Sequence, residues 1–584
     1  MIMSPFREVN GLEEKYLLLR STFYSKEKHL KVEFTHEEVE KVWFCSKRNV
    51  KRVLKQLEAD GYFHYIPGKG RGNSSKLVYS RLFKEEIEEY CKRNIELENL
   101  DRIAFILRLP IPRSWIIHVS EEVQQLLGFK RSENARDILY TFKSREVSTL
   151  DPLHVSIALE VHLTQHLGDT LVRYDAKTKQ IIPHLAHHFS VDDSGKLYTF
   201  YLRKDVHFHN MDKLSSADIA HTVKRLQTRS KAYSWLAENI EKVVCETPYK
   251  VSFHLNKKNT LFLHLLSSPA FCVLPVGIAF NEFEWVGTGA FMLKERTKTK
   301  IILQAFEHYF KERPFIDEIH FHAVSKDAAN LLYLQADPKS EQIHPTAHTL
   351  QDLGMVFLLF NQQDNQSLRD QNLRNALYHL IDVPKIIREL DLEVMEASSF
   401  SDLRSTHLEK NQQLVSTLLQ LAHYNGEELR VGFLYNERTS EEAKWLCREA
   451  QRFGINLILT PISHKDFYNP EITNQIDILL MNMVFSYDRQ LAFISAFKNE
   501  HLFMMKMLHG EAKAFVNNQL QLYQEAPSSI EREKIIIEIE TFLREQKHLI
   551  FLYHPIITRT IDPLIQDATH YSLGHVDYTK LWLP

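Results

Sequence analysis

Between residues 46 and 57 the apolar positions repeat at helical spacing. Val50, Val53, Leu54 and Leu57 fall at i, i+3, i+4 and i+7 and form one stripe. Lys47, Arg48, Lys51, Arg52 and Lys55 fall on the opposite face. Ser46 is placed to cap this helix, and Asp60-Gly61 to end it. Two strands, Tyr62 to Ile66 and Lys76 to Tyr79, then flank the loop 67–73, which is rich in Gly and opens with Pro67. Upstream, residues 13–34 predict a helix and a short amphipathic stretch. Thr35 with Glu38 has the spacing of a capping box that opens a short helix to about Val42.

Further along, residues 82–109 predict one or two charged amphipathic helices, which Pro110 and Pro112 break. Residues 113–140 read as a connector with a short helix of its own. From about Leu139 strands alternate with helices, which argues for an α/β architecture. Strands are expected at Tyr198–Leu202, Val251–Leu255, Ile301–Gln304, Ile319–His322, Val356–Phe360, Leu429–Leu434, Asn456–Leu459 and Ile476–Leu480. Helices are expected near 215–229, 370–380, 440–453 and 528–545.

With 584 residues the chain is long enough for several domain-sized cores. Its charge is unevenly spread. Residues 46–81 hold nine Lys/Arg against two acids in a chain of net charge −3, so the remainder carries about −10. Five scattered cysteines without metal-ligand spacing predict reduced thiols. No apolar run has the length of a transmembrane helix, and the N-terminus lacks the pattern of an export signal, so a cytoplasmic protein with no membrane partner is expected.

A helix, turn, helix and basic hairpin in this order are how a winged helix holds double-stranded DNA. Neutralising phosphates takes charge, and entering the major groove takes a slim element. The expected DNA-binding residues are Ser46, Lys47, Arg48, Asn49, Lys51, Arg52 and Lys55 on the helix, with Lys69, Arg71 and Lys76 on the hairpin; Asn49, Arg48 and Arg52 are the expected base readers. Gly68, Gly70 and Gly72 superficially suggest a nucleotide loop, but a phosphate cradle needs a following helix and here a strand follows.

The rest of the chain resembles the peptide/nickel class of solute-binding proteins. Its blocks run in that family's order: Leu171–Asp175, Ile182–Ala186, Tyr198–His209, Leu214–Ile219, the Gly287-Thr288-Gly289 turn, Glu307–Phe310 with Arg313-Pro314, Phe360-Asn361 and Leu373–Leu377. Gly287 and Gly289 are expected to supply positive φ to a tight turn. The segment Asn482–Arg489 stands where the family carries its ligand-side loop, without the usual Asp-Pro. Joined to the basic N-terminal block, and ending in Trp582-Leu583-Pro584, the whole resembles the SgrR-type transcriptional regulators.

That resemblance implies a multidomain α/β protein: a winged helix-turn-helix at 1–112, a connector at 113–140, and a two-lobed periplasmic-binding-protein-like domain (class II, family 5) at 141–584. Lobe 1 is expected at about 141–355 plus 550–584, and lobe 2 at about 356–549. The implied function is a DNA-binding regulator sensing a small solute, namely a sugar, sugar phosphate or short peptide, with a homodimer as an allowed assembly. The ligand-side candidates are Asn361, Tyr487, Asp488 and Arg489. Two alternatives stand beside it: the binding protein of an ABC importer, and a regulator whose solute fold serves only as an interaction platform. His207 and His209 share a strand face as two metal ligands would, but no third ligand has a fitting position, and no catalytic motif occurs. Neither cofactor, metal nor enzyme activity is therefore expected.

Overall fold

The computed structural model describes residues 11–68, 74–97, 99–112, 115, 128–131, 136–143, 145–323, 347–351, 354–400, 409–469, 471–560, 566–567, 570–572 and 575–582. The chain divides into two compact units. One comprises Met1–Glu146 with Thr297–Lys300 and Ile319–Ile343, and the other comprises Val147–Arg296, Ile301–Glu318 and His344–Pro584.

In the first unit, α1 (Leu12–Phe23) leads to β1 (Lys31–Phe34), α2 (His36–Trp43) and α3 (Lys47–Ala59). The hairpin β2 (His64–Ile66) and β3 (Ser75–Val78) follows, then α4 (Phe83–Glu96) and α5 (Leu100–Arg108). The sheet order is β1-β3-β2, antiparallel throughout, so the stretch expected to be merely amphipathic before Thr35 is the third strand of a winged helix. The stripe of α3 is fully buried at Val50, Val53, Leu54 and Leu57, in one core with Leu17 and Leu19 of α1 and Ile87 of α4. The short helix expected in 113–140 falls mostly outside the described residues. Within that range, residues 128–131 pair antiparallel with the strand Asp137–Lys143.

One buried side chain ties this unit together. Arg20 is fully buried in α1 and uses all five of its N–H groups. It donates to Glu27 (3.0 and 2.8 Å), Glu86 (3.0 Å), the Tyr16 hydroxyl (2.9 Å) and the Arg81 carbonyl (2.9 Å), and its guanidinium lies 3.8 Å from the Tyr79 ring centre. Helix α4 is thereby fixed to α1.

The second unit carries two main sheets. Strands Ile240–Thr247, Lys250–Leu255, Leu197–Leu202 and Ala186–Val191 lie side by side in that order. The larger sheet runs Ala347–Gln351, Leu549–Thr560, Gly354–Phe360, Ile478–Val484, Leu429–Leu434 and Leu457–Ile462, with Val394–Glu396 paired on Leu549–Thr560. Strand Leu549–Thr560 thus lies beside Gly354–Phe360. Every residue of Gly354–Phe360 is buried, and alternate side chains feed different cores. Met355, Phe357 and Leu359 join one core, and Val356, Leu358 and Phe360 the other.

Gly287 and Gly289 do not take positive φ, contrary to the sequence-based expectation. Glycine is needed there for space. A Cβ on Gly287 would stand 2.3 Å from the Leu167 carbonyl oxygen, and one on Gly289 would stand 2.3 Å from that of His166. The turn lies against the end of helix Ala158–Leu167, where no side chain fits.

Candidate DNA-binding face and solute cleft

α3 is presented by two local devices. The capping box forms as expected: Glu38 N donates to Thr35 Oγ1 (3.3 Å), and Thr35 N donates to Glu38 Oε2 (2.8 Å). At the other end of α2, Trp43 donates its indole N–H to the Lys15 carbonyl (2.9 Å), and Phe44 takes a left-handed φ of 48° to turn the chain into α3. Ser46 occupies the N-cap position with extended backbone, but its hydroxyl makes no cap bond.

Ser46, Lys47, Arg48, Lys51, Arg52 and Lys55 are all exposed, on the face opposite the core stripe. Asn49 is half-buried and accepts from Arg52 Nε (3.2 Å) and Nη2 (3.0 Å), so two of the expected base readers hold each other one turn apart. Behind them, burial lowers the His36 pKa and the ammonium groups of Lys51 and Lys47 add to the effect, which favours the neutral ring. Lys69 and Arg71 lie outside the described residues. Lys76 stands on β3 with its ammonium 2.7 Å from Glu33, its cross-strand partner on β1. Exposed pairs of this kind are worth little, so a phosphate can replace the carboxylate.

In the second unit a cavity of about 320 Å³ opens between the segment that begins at Ser156 and the strand-to-helix connection 481–492. This is the size of a small-molecule site. Tyr487 and Asp488 line it, as do Tyr174, Tyr233, Phe467, Met481 and Asn499. Ser156 joins the two sides: its hydroxyl lies 3.0 Å from His501 Nδ1 and accepts from Asn499 Nδ2 (3.1 Å). Burial lowers the His501 pKa to about 4, so that ring is neutral.

Asp488 is held from two sides. It caps the helix Arg489–Lys498 by accepting from Leu491 N (3.2 Å), and its other oxygen lies 2.7 Å from His264 Nδ1. The remaining two ligand-side candidates are placed elsewhere. Asn361 is fully buried and donates to the carbonyls of Thr473 and Ile476 (2.9 Å each) and to Asp364 (3.0 Å), which fixes the turn after Gly354–Phe360. Arg489 points to Glu533 at 3.3 Å and does not line the cavity. Sequence reading missed His264, Ser156 and Asn499, which lie hundreds of residues from their partners with no local motif to mark them.

The histidines read as a weak metal pattern have structural partners. His209 lies 3.0 Å from the Gly289 carbonyl through Nε2 and accepts from Gly287 N (3.3 Å), so it clamps the glycine turn. His207 lies 3.9 Å from Asp205 through Nε2.

Residues 180–501 match the model of the bacterial extracellular solute-binding proteins, family 5, over more than half of the chain. The chain belongs to this family. Residues 12–125 match the model described as the N-terminal region of a sugar transport-related sRNA regulator, SgrR, so the family-5 domain here is the larger part of an SgrR-type fusion. Among curated proteins, the Bacillus subtilis protein YhjP, described as uncharacterized, is 27% identical over 564 residues, spanning 94% of this chain and 96% of its own length. SgrR of Photorhabdus laumondii, described as an HTH-type transcriptional regulator, is 25% identical over 395 residues, spanning 65% of this chain and 66% of that protein.

Solved peptide-binding proteins share the fold. The murein tripeptide binding protein MppA of Escherichia coli aligns with a TM-score of 0.66 at 19% identity, covering 77% of this chain and 99% of that one. The oligopeptide-binding protein AppA of Bacillus subtilis, solved with a nonapeptide, gives 0.66 at 18% identity, covering 76% and 99%.

Proposed function

We propose that the chain is a DNA-binding transcriptional regulator whose family-5 domain senses a small solute. The carrying observation is α3: an exposed face of five cations with no acid among them, set in a helix-turn-helix with a three-stranded wing. On DNA, Lys47, Lys51, Lys55 and Lys76 would neutralise phosphates, while Arg48, Asn49 and Arg52 would reach base edges. In this reading residues 1–112 supply the output and 141–584 the input. A cytoplasmic location follows from the DNA partner, and a homodimer would match a two-fold operator. The names of the SgrR relatives support the reading, whereas an importer's binding protein has no use for α3.

Solute binding can act on DNA binding only through a difference in affinity between two states of the protein. The test is a gel shift of the full chain on DNA upstream of its own and adjacent genes. Arg48→Ala with Arg52→Ala should weaken the shift about a hundredfold while leaving thermal unfolding unchanged. Equal binding by wild type and double variant at moderate salt would overturn the assignment.

A further inference from the structure

The cleft itself discriminates among the solutes open to it. The inference below rests on the reading that the cleft takes a solute at all. Among the described residues that line the cavity, the charged side chains are Arg173 and Asp488. Asp488 is buried, and both of its oxygens are engaged, by His264 and by the backbone of Leu491. A ligand ammonium entering here meets a carboxylate whose two oxygens each already hold a contact, so fewer of its acceptor sites are open than on a free one. Arg173 is not without a partner within the protein, and its field also falls on Asp577.

The remaining polar lining is uncharged, made of Ser, Asn, Gln and Tyr side chains set among aromatic and methionine surfaces. Gln165 Oε1 is buried with no hydrogen-bond partner in the structure, so it offers an acceptor to a ligand O–H. Asn482 is exposed on the same wall.

We propose that the cleft selects an uncharged, hydroxyl-bearing solute of sugar type, and that His264 seals the Asp488 carboxylate against the ammonium of a peptide. His264 is thus a positioning residue, placed by the short helix Phe262–Leu266. Its Nδ1 occupies one acceptor site on the oxygen that a peptide terminus would use.

The proposal is tested on the full chain by thermal-shift and calorimetric titration with glucose, maltose, glucose 6-phosphate and the dipeptide Ala-Ala. A neutral sugar should stabilise the wild type, and the dipeptide should not. His264→Ala should gain dipeptide binding by about tenfold or more, while His264→Gln, which keeps a donor for Asp488, should behave as wild type. If the alanine variant does not fold, His264→Leu, which fills the space without a donor for Asp488, carries the test and should gain the same dipeptide binding. Dipeptide binding by the wild type, or the phosphorylated sugar binding about tenfold more tightly than its neutral parent, would overturn the inference alone. Failure of every probe on wild type and on whichever variant folds, in samples that still shift DNA, would instead remove the solute-sensing reading beneath it.

Discussion

On α3 and in the cleft, charge is handled in opposite ways. Between residues 47 and 57 the helix carries five cations and no acid, all five facing water. Among the described residues the cleft lining has two charged side chains, and Asp488 is bound to a histidine 224 positions away in sequence. A surface built to meet a polyanion gains from cations that have no partner of their own, because each phosphate contact releases counterions. An enclosed site cannot leave a charge unpaired in the same way, because desolvation penalises it. One unit therefore advertises its chemistry, and the other conceals it.

The largest way to sharpen this contrast lies beneath the exposed face. Arg20→Ala would leave the half-buried Glu27 and Glu86 without their cation, and should lower the stability of the first unit by up to about 3 kcal/mol in denaturant unfolding. A loss below about 1 kcal/mol would show that the buried network is not what holds α4 to α1.

The second unit should show its concealed charge in its pH response. Burial raises the Glu540 pKa to about 7, from an ordinary carboxyl value of 4.5. The folded state therefore favours the protonated acid, so stability present below pH 4.5 is lost as pH rises through about 7. Glu540→Gln should remove up to about 3 kcal/mol of that loss, read as a flatter melting-temperature profile between pH 5 and pH 8. Buried histidines work in the other sense. The pKa values of His166, His501 and His548 are lowered to about 4 by burial, so their contribution is lost as pH falls from 6.5 toward 4. An unchanged profile in the glutamine variant would place the acid elsewhere.

The smallest effect tests the boundary between the two regimes. Glu33→Gln frees Lys76 of its exposed partner and should raise DNA affinity by no more than about threefold, with a slightly steeper salt dependence. A weaker complex would mean that Glu33 itself reads the DNA.

How much was legible follows the same divide. The α3 stripe, its cationic face, the capping box and fewer than half of the strands were readable, because each of these depends on neighbours a few residues away. Leu429–Leu434 appears with the expected ends, and the other expected strands shift by a few residues at most. β1 was not recognised as a strand, since four residues with an amphipathic pattern say little until β3 pairs with them. The Lys76–Glu33 pair depends on that same register. The glycine turn was located correctly but explained wrongly, since its cause is a helix carbonyl more than a hundred residues upstream. Of the ligand-side candidates, Tyr487 and Asp488 reach the cavity, while the hydrogen bonds of Asn361 belong to a turn.

The strand Gly354–Phe360 has a consequence for how this protein can evolve. Because its odd and even positions serve different cores, inserting or deleting a single residue would send each side chain into the wrong core. Sequence drift at that strand is restricted to like-for-like exchange, while the loops around it remain open to change in length. If the cleft takes a solute as proposed, a lineage altering that solute would have to work from the cleft-lining loops inward, with this strand as the fixed ruler between the two interiors.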